Sequence, residues 1–252
     1  MGNKRILPPV LVLALFLLIW QAAVALFQVD AYLLPSPIAI AKQIYDEHEQ
    51  LLRHLLATLG MTLLGFGAGA LLGFVLAGLL HLIPGAKAGF YPLLVLTQNV
   101  PLMALGPLLV LWFGFGTLPR VILITLVTFF PVAVAMLTGL MQSDEKLVNY
   151  LRMIGASKRK LFWRLELPSS VPHLFSGLKI AASYSVITAI YAESIGSSKG
   201  LGYYILLAQR GFETANVFAA IALIVLLSLV MFGAIALAEH LYNRGKVKGE
   251  TS

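Results

Sequence analysis

Long apolar stretches, separated by short polar segments, constrain this chain more than any other feature of its sequence. Of its 252 residues, 59% are hydrophobic and 12% are charged, whereas a soluble domain carries about 25% charged residues. About 20 consecutive apolar residues span a bilayer as a helix. The sequence therefore predicts an all-α integral membrane protein with six transmembrane helices, at residues 6–27, 56–82, 89–113, 120–140, 175–195 and 216–238.

The distribution of positive charge predicts how these helices are oriented. Twelve of the 18 Lys and Arg residues lie in segments on the same side of the membrane as the N-terminus, and five lie in segments on the other side. Because Lys and Arg accumulate in cytoplasmic loops, we expect both termini in the cytoplasm. Orientation in the membrane then accounts for the net charge of +7, so membrane lipid is expected as a partner and nucleic acid is not.

This arrangement divides the chain into three regions. We expect a first transmembrane helix with an external connector, a transmembrane core and a basic cytoplasmic tail, at residues 1–55, 56–240 and 241–252. Within the connector, apolar residues recur at helical spacing at Ile38, Ala41, Ile44 and Tyr45. The pattern indicates either a short amphipathic helix on the outer surface or a plain connector.

Prolines interrupt the third apolar stretch at Pro101 and Pro107. Proline removes a backbone hydrogen bond from a helix, and a membrane helix tolerates this where neighbouring helices or water satisfy the freed carbonyl groups. We therefore expect the third helix to be buried in the protein rather than exposed to lipid.

Small residues follow one side of the second predicted helix at four-residue spacing, at Gly65, Gly69, Gly73 and Ala77. Small side chains let the backbones of two membrane helices approach closely. The stripe predicts helix packing, either within the chain or between two copies of it.

Polar side chains follow the fifth predicted helix. Tyr184, Thr188 and Tyr191 recur at the spacing of one helical face, and Glu193 follows near the outer end. Polar groups in a membrane helix usually face the bundle interior or a watery cavity. We expect these four residues to line a pore. Glu193 is a candidate for direct contact with a solute, although its position would also let the carboxylate reach water.

The sequence lacks the residue patterns of several catalytic sites. It contains no cysteine, its five histidines are scattered, and no metal-binding spacing is present. No glycine-rich loop of the nucleotide-binding type occurs either. We expect this chain to bind no metal or cofactor, to hydrolyse no nucleotide and to catalyse no reaction.

Residues 142–168 form the only long polar segment in the second half of the chain. Ser143 precedes an acidic first turn and is suited to cap a short helix, which Gly155 would end. Ser157 would cap a second short helix, which Pro168 would end. The pattern predicts two short helices on the cytoplasmic side.

The second of these helices would carry a basic rim and an apolar side formed by Leu161, Phe162 and Leu165. A loop that only fixes orientation in the membrane explains the positive charge. A site that binds a soluble partner explains the capping order and the apolar side as well.

The same segment resembles the signature of the inner-membrane permease subunits of ATP-binding-cassette (ABC) importers. That signature consists of Gly, nine residues, an aliphatic residue, one further residue and Leu-Pro, and it is matched by Gly155, Leu165, Leu167 and Pro168. The Glu-Ala-Ala triplet of the family is replaced here by Asn149-Tyr150-Leu151.

Other stretches narrow the resemblance to one branch of the family. Residues 34–37, 100–108 and 111–116 resemble permeases of the sulfonate, nitrate and taurine type. Residues 97–101 and 175–186 are similar to permeases for pyrimidine precursors of thiamine.

The resemblance implies a type I importer permease with six transmembrane helices in the inner membrane of a prokaryote. Two copies would form the pore, a cytoplasmic ATPase dimer would bind ATP with Mg, and an external solute-binding protein would deliver the solute. The resemblance also implies that a coupling segment contacts the ATPase, at Gly155, Ala156, Ser157, Lys158, Leu161, Phe162, Leu165, Leu167 and Pro168.

The solute implied by the resemblance is a thiamine pyrimidine precursor similar to hydroxymethylpyrimidine. An aliphatic sulfonate, taurine or nitrate is the alternative. A self-contained secondary carrier is an alternative of a different class, but carriers usually show repeated halves and broken or charged helices near the membrane midplane. This chain shows no obvious internal repeat.

Overall fold

The computed structural model describes residues 3–83, 85–97 and 99–249, and within these ranges the chain consists of helices and connecting turns. Gln98, which belongs to the motif at 97–101, lies outside the described residues. Residues 250–252 of the predicted tail lie outside them as well.

The helices follow one another with short connections. In chain order they are α1 (Asn3–Leu26), α2 (Pro37–Asp46), α3 (His48–Leu82), α4 (Ala86–Thr97), α5 (Leu102–Phe113), α6 (Thr117–Met141), α7 (Glu145–Met153), α8 (Lys158–Leu161), α9 (Leu167–Ser194), α10 (Leu201–Arg210) and α11 (Thr214–Gly249). A π-helical turn, Phe162–Glu166, joins α8 to α9.

Five helical stretches in the described part of the chain are long and apolar enough to cross a membrane. They are Leu7–Leu26, His48–Leu82, Thr117–Met141, Lys158–Ser194 and Thr214–Gly245. These stretches overlap five of the six predicted transmembrane helices, and the one at Lys158–Ser194 includes α8 and α9 as one continuous helix.

The third predicted transmembrane stretch, which prolines interrupt in the sequence, is divided into two helices in the structure. Residues 89–113 form parts of two shorter helices, α4 and α5, and Asn99, Val100 and Pro101 between them are not helical. Proline cannot donate the hydrogen bond that would continue α4, and it disfavours helical geometry in the residue before it. Pro107 lies inside α5 without ending it.

α3, α6 and α9 form the centre of the bundle, and the small-residue stripe explains how closely α3 and α6 approach. A methyl group added at Gly65 would lie 2.5 Å from Cβ of Ile124. One added at Gly69 would overlap the hydroxyl of Thr128, and one at Gly73 would lie 2.5 Å from the carbonyl oxygen of Phe129. The stripe therefore packs within the chain, against α6.

The bundle has two ends, which we name after the short helices that lie there. The α7 end contains an apolar cluster of Ala77, Leu80, Phe129, Ala133, Met136, Leu137, Leu140 and Phe162. The α10 end contains a second cluster of Ile40, Leu51, Leu201, Tyr204, Ala219 and Ala220. α3 extends from one end to the other.

Of the two alternatives for the connector, a short helix or a plain connector, the structure shows the helix, α2. The hydroxyl of Ser36 caps it by accepting a hydrogen bond from the backbone N–H of Ala39. Ile40 is buried in the cluster at the α10 end, whereas Ile38 and Tyr45 are exposed. The helix therefore packs on the bundle through one side and leaves apolar side chains on another.

Candidate functional site

A cavity of about 590 Å³ lies between the α4–α5 break, α6 and α9. Its lining residues are Thr97, Val100, Leu105, Leu126, Val127, Phe130, Pro131, Val134, Ala135, Ile180 and Tyr184.

The break between α4 and α5 lies at this cavity, because Thr97 and Val100 on its two sides are both lining residues. Non-helical backbone at membrane depth leaves polar groups without helical partners. Such backbone is tolerated only where it is buried in protein or faces a water-filled cavity. The cavity thus lies beside the backbone that the break leaves without helical hydrogen bonds.

The cavity surface is mainly apolar, with a few polar groups. Phe130 and Tyr184 contribute aromatic rings, and Thr97 contributes a hydroxyl that donates to the carbonyl oxygen of Leu94 at 2.7 Å. Lys, Arg, Asp and Glu are absent from the lining residues described by the structure. This composition suits a small solute with flat apolar surfaces and a few hydrogen-bonding groups.

The structure separates the four predicted pore residues. Tyr184 is half exposed and lines the cavity. Tyr191 donates its phenol to the carbonyl oxygen of Met103 at 2.9 Å, which ties α9 to α5. Thr188 and Glu193 are only 2% and 1% exposed, so in the protomer they face neighbouring helices rather than the cavity.

The expectation that the Glu193 carboxylate could reach water is therefore wrong, because the residue is buried. One carboxylate oxygen accepts hydrogen bonds from the Thr58 hydroxyl at 3.0 Å and from the backbone N–H of Gly202 at 2.9 Å. The residue lies between α3 and the start of α10. Burial of a charged group requires such hydrogen-bond partners.

The polar segment at 142–168 begins with a helix whose cap differs from the predicted one. Asp144, and not Ser143, caps α7, because its carboxylate accepts from the backbone N–H of Lys146 at 2.9 Å. The hydroxyl of Ser143 instead lies 3.1 Å from the hydroxyl of Ser169, which connects the start of the segment to the beginning of α9.

The turn after α7 forms as predicted. Gly155 has a φ of +84°, a conformation that residues with a side chain rarely adopt. The backbone N–H groups of Gly155 and Ala156 donate to the carbonyl oxygens of Arg152 and Leu151, at 3.0 and 2.9 Å. This pair of hydrogen bonds is the Schellman arrangement that ends a helix at glycine. Ser157 then caps α8 through the N–H of Lys160.

The prediction that Pro168 ends the second helix is wrong. α8 continues through the π-helical turn into α9, and Pro168 lies in the first turn of α9. Proline is acceptable there because the wider π turn shifts the hydrogen-bond pattern: the N–H of Leu167 donates to the carbonyl oxygen of Phe162, five residues earlier. The basic helix α8 and the fifth predicted transmembrane helix, α9, thus form one continuous helix.

Burial divides the predicted coupling residues into two groups. Leu161 and Phe162 are 3% and 7% exposed, and Phe162 packs in the apolar cluster at the α7 end. Leu161 and Phe162 therefore attach the segment to the bundle and do not face outward. The remaining predicted coupling residues are partly buried (Ala156, Leu165, Leu167 and Pro168) or exposed (Gly155, Ser157 and Lys158).

The outward apolar surface of this segment was not predicted as such. Its members are 55% (Tyr150), 79% (Met153), 63% (Ile154) and 58% (Trp163) exposed. Three of them lie on α7 or at its end, and Trp163 lies in the π-helical turn. We call these four residues the outward apolar surface. Exposed apolar side chains at a polar end of a membrane protein are suited to a soluble partner.

Comparison with known proteins identifies the family. The family described as binding-protein-dependent transport system inner membrane component matches residues 69–245, well over half of the chain. The chain belongs to this family. It is an ABC transporter permease and a multi-pass protein of a prokaryotic cytoplasmic membrane, and both statements confirm what the resemblance implied.

Two relatives of the permease are similar over nearly its whole length. The formylaminopyrimidine transport permease protein ThiX of Halalkalibacterium halodurans is 36% identical over 95% of this chain and 96% of its own length. The putative aliphatic sulfonates transport permease protein SsuC of Bacillus subtilis is 30% identical over 95% of this chain and 88% of its own.

A solved structure confirms the permease fold. A chain of the MetNI methionine ABC transporter, in an inward-facing conformation, superposes with a TM-score of 0.67 at 20% identity. The match covers 77% of this permease and 96% of that chain.

Three cavity residues of the permease, Thr97, Val100 and Phe130, were not identified from the sequence. Pro101 was the available signal, since a proline-broken membrane helix usually adjoins a cavity. Phe130 carried no signal, because one aromatic residue in an apolar helix is typical of core packing as well.

Proposed function

We propose that this permease passes a small uncharged heteroaromatic solute, a thiamine pyrimidine precursor of the hydroxymethylpyrimidine or formylaminopyrimidine kind, inward across the cytoplasmic membrane. The observation that carries the proposal is the chemical character of the cavity, which offers aromatic and aliphatic surface beside two hydroxyl groups.

The free energy of desolvation favours an uncharged solute over a sulfonate. An anion that leaves water without a counter-charge or several N–H donors costs far more than a neutral amide or hydroxyl group. The described lining residues supply no Lys or Arg side chain. A pyrimidine ring, in contrast, gains from offset stacking on Tyr184 or Phe130, and its exocyclic groups can use the hydroxyls of Thr97 and Tyr184.

The relatives support this choice without deciding it. ThiX of Halalkalibacterium halodurans, named for formylaminopyrimidine, is 36% identical, and SsuC of Bacillus subtilis, named for aliphatic sulfonates, is 30% identical. An aliphatic sulfonate is accordingly the second candidate solute, and the two candidates differ in charge.

The proposed arrangement has six membrane crossings, with α4 and α5 together forming the third. The α7 end is then cytoplasmic, both termini are cytoplasmic, and the α10 end faces outward. The exposed cations Lys158, Arg159 and Lys160 support this orientation, because positive charge is retained on the cytoplasmic side.

Transport is driven by partners in this proposal. A cytoplasmic ATPase dimer binds and hydrolyses ATP with Mg, a second copy of the permease completes the pore, and an external solute-binding protein delivers the solute. The permease itself contributes the path and the mechanical connection and has no catalytic role.

The outward apolar surface is the proposed contact with the ATPase. Tyr150, Met153 and Ile154 would enter a groove of the ATPase, surrounded by the basic residues of α8. Movement of this surface would reach the pore directly, since α8, the π-helical turn and α9 form one helix of 37 residues. Gly155 would keep α7 at a fixed angle to that helix.

The solute assignment is tested in proteoliposomes that contain the permease, its ATPase and its solute-binding protein. We expect uptake of radiolabelled hydroxymethylpyrimidine or formylaminopyrimidine with ATP inside, and no uptake of taurine. Uptake of taurine without uptake of either pyrimidine would contradict the proposal. Purification of a complex that contains no nucleotide-binding subunit would instead favour a self-contained carrier.

A cavity variant tests whether the path is the one proposed. Tyr184→Ala removes the aromatic ring and its hydroxyl and should lower pyrimidine uptake about fivefold, since an aromatic pair contributes about 1 kcal/mol. Tyr45→Ala removes an exposed tyrosine of α2 and is the matched control. Equal uptake by both variants would place the path elsewhere.

A surface variant tests the ATPase contact. Met153→Asp should leave the amount of folded permease unchanged and abolish solute-stimulated ATP hydrolysis, because it places a charge in an apolar contact. Met153→Leu retains the apolar surface and should retain stimulation. Full stimulation in the Asp variant would exclude this residue from the contact.

A further inference from the structure

Helix α10 begins in an unusual way, because it has no capping side chain of its own. Its N-cap is Gly200, which lacks a side chain. The first backbone N–H groups of a helix have no partner within the helix, and here they lie in a buried region, since Leu201 is fully buried. Buried N–H groups must find other acceptors.

Three side chains from two other helices provide those acceptors. The N–H of Gly200 donates to Nδ1 of His54 at 3.0 Å, and that of Leu201 donates to the Thr58 hydroxyl oxygen at 2.8 Å. The N–H of Gly202 donates to the Glu193 carboxylate at 2.9 Å. Three consecutive donors at the start of α10 are thus satisfied, in order, by α3, α3 and α9.

Neighbouring groups fix the position of the Glu193 carboxylate. The Thr58 hydroxyl also approaches the Glu193 carboxylate at 3.0 Å, so it can donate to the carboxylate while accepting from Leu201. A methyl group at Gly200 would overlap the carboxylate, and Gly200 has a φ of +109°. A negative charge at this place also interacts favourably with the positive end of the α10 dipole.

A fourth contact holds the next turn of α10. The Tyr204 phenol donates to the Glu47 carboxylate at 2.6 Å, at the junction of α2 and α3. Burial and the nearby Glu47 carboxylate raise the pKa of Tyr204, so the phenol stays protonated and keeps donating.

We propose that Glu193, together with Thr58 and His54, is a positioning residue that caps α10 from outside and keeps it closed over the α10 end of the bundle. We call these three residues the α10 cap. Glu193 is then a determinant of the transport cycle that does not touch the solute. The capping role is independent of the solute and of the membrane orientation proposed above.

Capping by side chains of other helices makes the position of α10 depend on α3 and α9. For α10 to move, these hydrogen bonds have to break together with the apolar contacts of Leu201 and Tyr204, whereas a cap within α10 would move with it. Since α9 continues into α8, a rotation that enters at the α7 end would change the geometry of the Glu193 carboxylate at the other end.

The absence of cysteine from the chain makes this proposal directly testable. Ala219→Cys introduces a probe thiol at a fully buried position beside Leu201 and Tyr204, where it becomes accessible only when α10 moves away. Ser198→Cys introduces a reference thiol at an exposed position of the loop before α10. The labelling rate of each thiol with a charged maleimide is measured for the permease–ATPase complex in nanodiscs, in which both faces are accessible.

Glu193→Leu retains much of the volume of the side chain and removes the hydrogen-bond acceptor. We expect it to raise the labelling rate of the probe thiol relative to the reference thiol about tenfold, the change that the loss of one or two buried hydrogen bonds produces. Glu193→Gln retains an acceptor oxygen for Gly202 and should stay close to the parent rate. A Gln variant labelled as fast as the Leu variant would overturn the proposal.

Thr58→Val is the second variant and keeps the test decisive if Glu193→Leu does not fold. It removes the acceptor of Leu201 with almost no change in volume and should also raise the labelling rate of the probe thiol. An unchanged rate in Thr58→Val would contradict the capping role.

Uptake kinetics separate positioning from solute binding. A residue that positions α10 should lower the maximal rate of pyrimidine uptake and leave the half-saturating solute concentration within about twofold. If a Glu193 variant raised that concentration and left the probe thiol protected, Glu193 would be a solute ligand and the proposal would fail. The labelling arm uses no solute, so its result stands apart from the solute assignment.

Discussion

The two ends of the bundle are stabilised by different kinds of contact. At the α7 end, large apolar side chains such as Phe162 and Met136 pack together, and a hydrogen bond of 2.8 Å between Nε2 of His81 and the Glu166 carboxylate lies beside them. At the α10 end, an apolar cluster is accompanied by buried hydrogen bonds to Glu193 and Thr58.

The difference matters because one helix connects both ends. The stretch Lys158–Ser194 is continuous over 37 residues, which corresponds to about 55 Å at 1.5 Å per residue. Apolar packing at its first part tolerates small rotations, since dispersion contacts are not directional. Hydrogen bonds at its last part are directional, so the α10 end should respond more sharply to a rotation of this helix.

The largest effect on stability is expected at the α7 end. Phe162→Ala removes a buried aromatic side chain from the apolar cluster and should lower the free energy of unfolding by about 3 kcal/mol. Unfolding by SDS in mixed micelles measures this change. Trp163→Ala, which removes an exposed ring from the same turn, should alter the free energy of unfolding by less than about 0.5 kcal/mol. Equal losses would show that the packing at this end does not depend on Phe162.

The α10 end should be sensitive to a single methyl group. In Gly202→Ala the new methyl would overlap the backbone carbonyl of Ile190, and backbone cannot yield as a side chain can. We expect a loss of about 2 kcal/mol in the free energy of unfolding, measured in the same SDS titration. Gly78→Ala, at a helical position with no atom within 4 Å of the new methyl, should be neutral or slightly stabilising. A neutral Gly202→Ala would mean that α10 is not packed against α9 as described.

A smaller loss is expected from Gly155→Ala, which forces a side chain into a φ of +84°. The cost of that conformation is about 1 kcal/mol, and the space around Gly155 is open, so no clash adds to it. Gly67→Ala, also in open space but in α3, serves as the control. If thermal unfolding in detergent showed no difference between the two variants, the turn after α7 would not need its left-handed residue.

The smallest effect should come from the hydrogen bond between His81 and Glu166 at the α7 end. His81→Gln changes the hydrogen bond to Glu166 and should change the free energy of unfolding by about 0.5 kcal/mol, because a single hydrogen bond contributes little net stability. His240→Gln alters an exposed histidine of α11 and is its control. If His81→Gln lowered the free energy of unfolding by more than about 2 kcal/mol, the contrast between the two ends would disappear, since a polar contact would then dominate at the α7 end as well.

Much of the local structure followed from the sequence because local interactions decide it. The turn at Gly155 and the cap at Ser157 depend on residues a few positions away, and both formed as predicted. The predicted roles of Ser143 as a cap and of Pro168 as a helix end were wrong, because contacts and geometry beyond the local sequence decide both positions. Ser143 is drawn to Ser169 on another helix, and the π-helical turn lets Pro168 lie inside a continuous helix.

The side chains that face the cavity could not be predicted from spacing alone. Tyr184 and Thr188 lie four residues apart and share a helical face in the sequence pattern, yet one is 52% exposed and the other 2%. The neighbours of α9 change along its length, so one face of the helix meets open space at one level and another helix at the next.

By itself, the sequence determined the membrane-embedded helical class, the close helix packing through the glycine stripe of α3, and the family. The length of an apolar stretch, the spacing of small residues and the signature from Gly155 to Pro168 each involve residues that are close in sequence. Such patterns can therefore be recognised without knowing the fold. Only the tertiary structure decided that a cavity lies at the break of the third helix, which apolar residues of the segment at 142–168 face outward, and what Glu193 does. The donors that Glu193 satisfies lie nine residues along the chain, at Gly202, and 135 residues away, at Thr58, and only folding brings them together.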